Sequence, residues 1–208
     1  MQRILWTAVV LVLGGCASTG MSEAECRMAD WRAIGFEDGS CGAAASSFGT
    51  HRKACADHGV SASFDRYLAG HAQGLETFCR PQNGARLGGE GYRYTGVCPE
   101  HLEGPFLAAH AESFGLYELH AALDAISREL IAKKKRARDV ESWFVEKTAR
   151  LLAPQLLPAE RAALVVELKQ LGEEKYALED SIRQLERDRI QAQEDYESYR
   201  SQVAARRT

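Results

Sequence analysis

Residues 164–203 read LVVELKQLGEEKYALEDSIRQLERDRIQAQEDYESYRSQV. Along this stretch mostly apolar residues recur in alternating steps of four and three, which is the spacing of a coiled-coil seam. The seam positions are Leu164, Leu168, Leu171, Lys175, Leu178, Ile182, Leu185, Arg189, Ala192, Tyr196, Tyr199 and Val203. The repeat predicts one long helix, with a polar interruption at Lys175 and at Arg189.

A second helical arm precedes this repeat. We expect it to open at Gly104-Pro105, because proline is favoured in the first turn of a helix. Its apolar stripe is Leu116, Leu119, Leu123, Ile126, Leu130, Val140, Phe144 and Leu151. Pro154 and Pro158 then break the helix. Each arm has one apolar stripe to bury, so the sequence predicts an antiparallel hairpin over 105–208 with its turn near 153–158 and arms of about 70 Å. Parallel association of the second arm between two chains is the alternative.

The segment 133–138 of the first arm holds five basic residues in six. Such a run is either a docking site for an anionic partner or, more commonly, a solvated helix face. Both interpretations stay open at this point.

The composition of the chain changes near Pro105. Sixteen of the eighteen glycines and all six cysteines precede it, whereas 35 of the 104 residues from 105 onward are charged. The fold class predicted is therefore mainly α: a small disulfide-linked helical module over 22–104 with a short extended segment, followed by the coiled-coil hairpin. The formal net charge of −3 is close to balance, so no nucleic-acid partner is expected.

The N-terminus has the pattern of an export signal. Arg3 supplies a positive charge, ten mainly apolar residues follow from Ile4 to Leu13, and Gly14-Gly15 are small. Ten residues are too few for a membrane-spanning helix. The run Leu13-Gly14-Gly15-Cys16 resembles the lipobox of bacterial lipoproteins, which implies a signal peptide over 1–15, lipid on Cys16 and a tether over 16–21.

Lipidation would anchor the chain without a transmembrane helix. Two or three acyl chains, palmitate among them, hold a protein durably, since each buried methylene contributes roughly 0.8 kcal/mol. Ala17 stands where an Asp would indicate retention in the inner membrane. By resemblance to known sorting, we expect the outer membrane, with the chain facing the periplasm.

Exported cysteines are interpreted first as disulfides. With Cys16 lipidated, five remain, namely Cys26, Cys41, Cys55, Cys79 and Cys98. Five is an odd number, so at least one is a free thiol or pairs with another chain. Disulfides of roughly 2–4 kcal/mol each matter in a module of this size.

The module shows helix signals and a weak internal repeat. Ser22 to Glu25 form a capping box, which predicts a helix over 23–38; further helices are expected over 47–57 and from Ser63 to Cys79. Asp30, Gly35 and Gly39 correspond at an offset of 35 to Asp65, Gly70 and Gly74. The two Gly-x-x-x-Gly patterns favour tight packing between soluble helices, because charged residues lie among the glycines. A turn over 84–91 and an extended segment from Tyr92 to Val97 should follow.

These residues carry a family resemblance. Four segments of the module carry it: Cys26…Asp30-Trp31…Gly35-Phe36-Glu37-Asp38-Gly39, His51-Arg52-Lys53-Ala54-Cys55, Tyr67…Gly70…Gly74-Leu75…Cys79 and Gly88…Gly91-Tyr92-Arg93-Tyr94-Thr95-Gly96-Val97-Cys98-Pro99. Together they resemble the proteobacterial lipoprotein family catalogued as domain of unknown function 2799, over about residues 22–110. The resemblance implies an envelope location and four framework cysteines, matching Cys26, Cys55, Cys79 and Cys98. It implies no activity. Cys41 departs from the pattern and is the candidate for a free thiol.

Four cysteines allow three pairings. If 23–38 and 47–57 form an antiparallel helical pair, Cys26 approaches Cys55, which leaves Cys79 with Cys98. A link from Cys26 to Cys79 or Cys98 would contradict this pairing.

Several motifs resemble reactive sites only superficially. His51, Cys55 and His58 have the spacing of a metal site, and His71 could add a ligand, yet oxidation of Cys55 with the histidines exposed explains the residues more simply. Glu37 and Asp38 are adjacent and so do not face each other across a substrate. We therefore predict neither a metal, nor a cofactor, nor catalytic residues, and no enzyme.

The sequence favours a structural or protein-interaction role for a membrane-anchored envelope lipoprotein that presents a coiled-coil arm in the periplasm. The partner would be an envelope protein or a like subunit. A periplasmic module that binds a glycan or a peptide is the alternative, with Trp31, Tyr67, Tyr92 and Tyr94 as contact aromatics. An enzyme is the third class, and it would depend on His51, Asp38 or the free thiol.

Overall fold

The computed structural model describes residues 21–206. The predicted signal peptide and the lipidation site at Cys16 lie outside these residues. None of the helices described is both long and apolar enough to cross a membrane. The chain divides into two compact units, of which unit 1 contains residues up to 87 and 92–111, and unit 2 contains 88–91 and the residues from 112 onward.

The described residues are mainly helical and form no strand, which confirms the predicted fold class. The helices are α1 (Glu23–Met28), α2 (Trp31–Ser40), α3 (Phe48–Ala56), α4 (Phe64–Phe78), α5 (Pro81–Gly89), α6 (Glu100–Leu151) and α7 (Pro158–Arg206), with a 3₁₀ turn at Ala45–Ser47. The segment 92–97, expected to be extended, is irregular.

The predicted helix over 23–38 is two helices. The capping box at Ser22 is present, with the Ser22 hydroxyl accepting from the Glu25 amide and the Glu25 carboxylate accepting from the Ser22 amide. The chain then becomes extended at Ala29, and the Asp30 carboxylate accepts from the Arg32 amide at 3.1 Å. A short acidic side chain is a strong N-cap, so Asp30 ends one helix and starts the next.

Two further boundaries differ from the prediction. Residues 81–89 form helix α5, although a turn was expected around their glycines, and Gly91 follows with a φ of +78°. Helix α6 starts at Glu100 instead of Pro105, because the Pro99 carbonyl already accepts from the amides of Leu102 and Glu103. Pro105 therefore lies inside the helix, where the glycine-rich composition had suggested a boundary.

Helices α2 and α4 pack backbone against backbone. A Cβ atom added at Gly35 would lie 2.0 Å from the Tyr67 carbonyl oxygen, and one at Gly70 would lie 1.8 Å from that of Arg32. The corresponding distances are 2.2 Å from Gly39 to the His71 oxygen and 2.3 Å from Gly74 to the Phe36 oxygen. Only hydrogen fits at these four positions, which confirms the predicted role of the two Gly-x-x-x-Gly patterns.

Two disulfides join pairs of described cysteines in unit 1, and both match the predicted pairing. Cys26 bonds to Cys55, and Cys79 bonds to Cys98. Each bond lies in a hydrophobic cluster. The first cluster holds Trp31, Phe48 and Tyr67 besides its cysteines, and the second holds Leu75, Phe78, Leu87 and Phe106.

The prediction of a free thiol at Cys41 is wrong. Cys41 is disulfide-bonded, and no cysteine of the described residues is free. The other four described cysteines pair with one another. The prediction rested on the odd number of cysteines that remain when Cys16 is taken as the lipidation site.

In unit 2 the two long helices run antiparallel. The ring of His120 lies 5.8 Å from that of Tyr196, and Lys134 pairs with Glu186. The predicted seam positions are buried or partly buried, apart from Arg189; Leu130, Val140, Leu164, Leu178 and Val203 are the most enclosed. The α-helical hairpin is therefore closed within one chain.

Candidate functional site

The four aromatic residues proposed as ligand contacts do not form an open surface. Tyr67 is 0% exposed and Trp31 is 5% exposed, because both belong to the cluster around the Cys26–Cys55 bond. Tyr92 and Tyr94 are partly buried and pack against the other cluster. The expectation of surface contacts through Trp31 and Tyr67 is wrong, since their rings fill the core.

Tyr94 has a structural task. Its hydroxyl donates to the Glu103 carboxylate at 2.9 Å and accepts from the Cys98 amide at 2.7 Å. Burial raises the pKa of Tyr94, and the hydrogen bond from the Cys98 amide opposes that rise. These bonds fix the irregular segment that leads into Cys98.

A polar cluster lies at the centre of unit 1. The Asp38 carboxylate accepts a hydrogen bond from the Tyr67 hydroxyl at 2.7 Å and contacts His51 Nε2 at 3.0 Å. His71 is buried, and its Nε2 lies 2.8 Å from the Ala43 carbonyl oxygen. Burial raises the pKa of Tyr67, and the bond to Asp38 raises it further. Tyr67 is therefore a neutral donor at physiological pH.

The cluster joins four separate segments of the chain. Asp38 is on α2, His51 on α3 and Tyr67 on α4, and the Ala43 carbonyl comes from the loop after α2. Sequence reasoning singled out Asp38 and His51 individually but did not predict their contact, because nothing in the local sequence indicates that residues 13 positions apart meet across two helices.

The metal-like spacing of His51, Cys55 and His58 is not assembled into a site. The Cys55 sulfur is in a disulfide, His58 is exposed, and His51 is turned to Asp38. Among residues 21–206, no group of three or more metal-ligating side chains comes together.

A shallow cavity of about 350 Å³ opens near the start of α5. It is lined by Ser40, Thr77, Phe78, Arg80, Gln82, Asn83 and Arg86. The Asn83 amide donates to the Phe78 carbonyl oxygen, and Arg86 donates to the Asn83 amide oxygen. Arg80 and Arg86 contribute two guanidinium groups to its lining, and such groups suit a carboxylate or another anion.

Ion pairs fasten the two arms of the hairpin. Arg136 donates two hydrogen bonds to the Glu174 carboxylate, at 2.6 and 3.0 Å, and Lys175 contacts Glu141 at 2.5 Å. Lys147 also pairs with Glu167, and Lys134 with Glu186. The basic run 133–138 thus contributes two cross-hairpin pairs, and the polar seam residue Lys175 is satisfied by the opposite arm.

Some of these ion pairs shift the pKa values of their members. The hydrogen bond to Glu174 raises the pKa of Arg136, and the reciprocal bond lowers the pKa of Glu174. The pKa of Glu186 is lowered in the same way by Lys134. Arg136 also lies over the Trp143 ring, 4.6 Å from its centre.

The hairpin exposes large apolar side chains along its outside. Tyr176 is 76% exposed and Ile131 is 68% exposed, although the chain carries many charges on these helices. Several of the exposed residues recur every fourteen positions, together with charged residues between them. We call these two series the outer stripes: Tyr117, Asp124, Ile131, Arg138 and Val145 on α6, and Lys169, Tyr176, Arg183, Ile190 and Glu197 on α7.

Residues 30–114 match the model of the family described as Protein of unknown function (DUF2799). The comparisons with curated proteins and with solved structures found no match.

Some of the features just described lie inside the DUF2799 match and others lie outside it. Glycine packing, the Asp38 cluster, the cavity and the Cys79–Cys98 bond lie inside it, whereas the ion pairs and nearly all of the hairpin lie after residue 114. Cys26 precedes the match and is tied to it through Cys55. Nearly all of the hairpin thus lies outside the matched segment.

Proposed function

We propose that the chain is a membrane-anchored envelope lipoprotein of structural or protein-interaction type, with the helical hairpin as its interaction element in the periplasm. The anchor is the lipid on Cys16, and the outer membrane is the membrane concerned. One observation carries the proposal: the large apolar side chains open to solvent lie mainly on the hairpin, whereas Trp31 and Tyr67 of the module are enclosed.

Three features of the sequence and fold support this proposal. The lipobox run ending at Cys16 is the pattern of an acylated protein. Disulfides such as Cys26–Cys55 and Cys79–Cys98 persist in oxidising compartments such as the periplasm. Exposed apolar patches on a monomer commonly mark an interaction surface.

The experiment is crosslinking in the envelope of living cells. A photoreactive residue replaces Tyr176 on the hairpin in one variant and Arg128, an exposed polar position of α6, in the control. We expect a defined covalent product from position 176 and little or none from position 128. Equal labelling at both positions, or products only from a third variant carrying the probe at Arg93 of the module, would contradict the proposal.

The anchor is tested separately by mass spectrometry of the mature N-terminus. A diacyl or triacyl modification on Cys16 is the expected result. A mature chain that begins elsewhere and carries no lipid would refute the anchoring, and fractionation of the membranes would check the outer-membrane assignment.

Binding of a glycan or a peptide by the module is the second candidate function. The cavity beside Arg80 favours it, because guanidinium groups recognise carboxylates, which peptidoglycan peptides carry. Co-sedimentation with purified peptidoglycan would support it only if Arg80→Ala reduces the retained fraction while Arg93→Ala, an exposed arginine away from the cavity lining, does not.

A further inference from the structure

The outer stripes occupy equivalent positions on the two helices of the hairpin. Every residue of these stripes comes directly after a position of the four-three repeat, as Ile131 follows Leu130 and Tyr176 follows Lys175. The repeat continues through Ala137 between Leu130 and Val140, and its position before Ile190 is the exposed Arg189. Residues separated by whole heptads stay on one face of a supercoiled helix. Each stripe is therefore a straight row along the outside of its arm.

Both rows face the same side of the hairpin. Each heptad has two seam positions, a and d. In an antiparallel coiled coil, position e, which comes directly after d, faces position e of the other helix. Lys134 and Glu186 occupy this position and pair with each other at 2.6 Å. The stripe positions lie on that side as well, whereas Arg136 and Glu174 pair across the opposite side. The hairpin thus has one broad face that carries two mixed rows.

Each row is complementary to itself when reversed. On α6, Tyr117 and Val145 are equidistant from Ile131, and so are Asp124 and Arg138. On α7, Tyr176 and Ile190 are equidistant from Arg183. Lys169 and Glu197 flank them at equal distance, again with opposite charges. Reversal therefore places apolar residues opposite apolar residues and charges opposite the other sign, except at Arg183, which lies at the centre of the α7 row and meets its own copy.

We propose that this face binds a second copy of the chain, with the two hairpins antiparallel and the two-fold axis passing between the Ile131 side chains of α6. This inference rests on the proposed function and names its partner. Ile131 then meets Ile131 of the second copy, Tyr117 meets Val145, and Asp124 meets Arg138. A two-fold interface is isologous, so the Tyr117–Val145 and Asp124–Arg138 contacts each form twice, whereas the Ile131 contact on the axis forms once.

A parallel arrangement of the two hairpins would be unfavourable, because the same stripe residues would meet unsuitable partners. Two parallel hairpins would place α6 against α7 at equal height, so that Ile131 would oppose Arg183 and Tyr176 would oppose Arg138. Each apolar side chain would face a charge, and the charged groups would lose water without a partner. The pattern therefore selects one orientation as well as one partner.

The size of the face suits a dimer. From Tyr117 to Val145 it is about 40 Å long at 1.5 Å per residue, and a two-helix width of about 20 Å gives roughly 800 Å² per partner, which is the area of a standard interface. Of the charges along its middle, Lys134 is paired with Glu186 and Lys175 with Glu141 within one chain. At the axis of the α7 row, Arg183 is paired with Asp180 at 3.2 Å.

Cysteine crosslinking in the full-length membrane-bound chain tests the orientation. With a short bis-maleimide and no reductant, we expect Ile131→Cys to give a covalent dimer by itself. Tyr117→Cys should give none alone, because its two copies lie about 40 Å apart in the antiparallel dimer, but it should link to Val145→Cys on a differently tagged chain. A dimer from Tyr117→Cys alone, or no dimer from Ile131→Cys, would overturn the inference.

A charge swap tests the contacts independently of crosslinking. Asp124→Arg and Arg138→Asp should each weaken the dimer about tenfold in sedimentation equilibrium, since each creates two repulsive contacts. The double variant should recover the affinity of the native chain, and Arg128→Glu, which changes an exposed charge outside the rows, should leave the affinity unchanged. Single variants without effect, or a double variant weaker than either single one, would overturn the inference.

The outcome also separates the two proposals. If Ile131→Cys gives no dimer while the probe at Tyr176 captures a different protein, the second copy is the wrong partner and the interaction function stands. If neither position gives a covalent product, both proposals are refuted.

Discussion

The two units hold their helices together in opposite ways. In unit 1, α2 and α4 cross where glycines remove the side chains, so that backbone meets backbone. In unit 2, α6 and α7 are held apart by a seam of apolar side chains and are fastened by ion pairs at its edges. The first arrangement leaves no tolerance for added atoms, whereas the second distributes its stability over many small contacts. The comparison predicts where substitutions do most damage.

The largest effect should come from Gly70→Ala. The new methyl group would lie 1.8 Å from the Arg32 carbonyl oxygen, so the helices must separate. We expect a loss of at least about 3 kcal/mol, at or beyond the usual cost of overpacking, measured by denaturant unfolding. Gly49→Ala is the control, since nothing lies within 4 Å of a Cβ there; it should be neutral or stabilise α3 by up to about 1 kcal/mol. Equal effects at both positions would break the comparison.

Removal of a disulfide should have the next largest effect, and it should affect the stability of unit 1 but not that of the hairpin. Cys26→Ser with Cys55→Ser should cost unit 1 about 2–4 kcal/mol, because the bond that lies in its core is lost. The hairpin has no disulfide among residues 112–206, so its melting should not change. Hydrogen exchange resolved by segment is the measurement, and equal loss of protection in α7 would contradict the separation.

In the hairpin the largest single effect should come from a seam residue. Leu130→Ala should cost about 2–3 kcal/mol, since Leu130 is among the most enclosed seam side chains. Val166→Ala, at an exposed position of α7, should change the free energy of unfolding by less than about 0.5 kcal/mol. Thermal denaturation followed by circular dichroism compares them, and equal losses would refute the assigned seam.

The polar cluster of unit 1 should contribute less to the free energy of unfolding than the packing of that unit does. Tyr67→Phe removes only the hydroxyl that donates to Asp38 and should cost about 1 kcal/mol. The phenol has a raised pKa and stays neutral, so the loss should be constant from about pH 6 to pH 9. A loss that grows steeply across this range would show that the hydroxyl is ionised in the folded protein.

Much of this architecture is predictable because its signals are local or periodic. The seam from Leu164 to Val203, the capping box at Ser22 and the glycine patterns of α2 and α4 follow from spacing alone. The break at Asp30 was not predicted, because a short polar side chain in a helical stretch can either cap the end of a helix or lie within it. Helix α5 was missed because its glycines favour a turn in isolation, and only packing on Phe106 shows otherwise.

The candidate sites were less predictable than the fold. Aromatic residues such as Trp31 and Tyr67 look alike in sequence whether they bind ligands or fill a core, since burial depends on distant segments. The outer stripes were likewise not recognised from the repeat, because their meaning depends on the antiparallel closure that brings the two rows to one side.

The smallest effect should come from acidifying the hairpin. The pKa of Glu174 is lower in the folded state than its ordinary value of 4.5. The stabilisation by Arg136 is therefore fully present above that value and is lost as the pH falls through the lowered pKa. Between about pH 6 and pH 3, Glu174→Gln should reduce the drop in melting temperature by about 1–2 °C. An unchanged drop would show that the pair adds nothing.

The most direct test of the central claim, that the hairpin closes within one chain and keeps its outer face for a partner, is a crosslink between His120→Cys and Tyr196→Cys. The two rings lie 5.8 Å apart across the hairpin. The predicted result is an intramolecular bond whose yield does not depend on protein concentration. Crosslinked dimers alone, with a yield that rises with concentration, would contradict the hairpin.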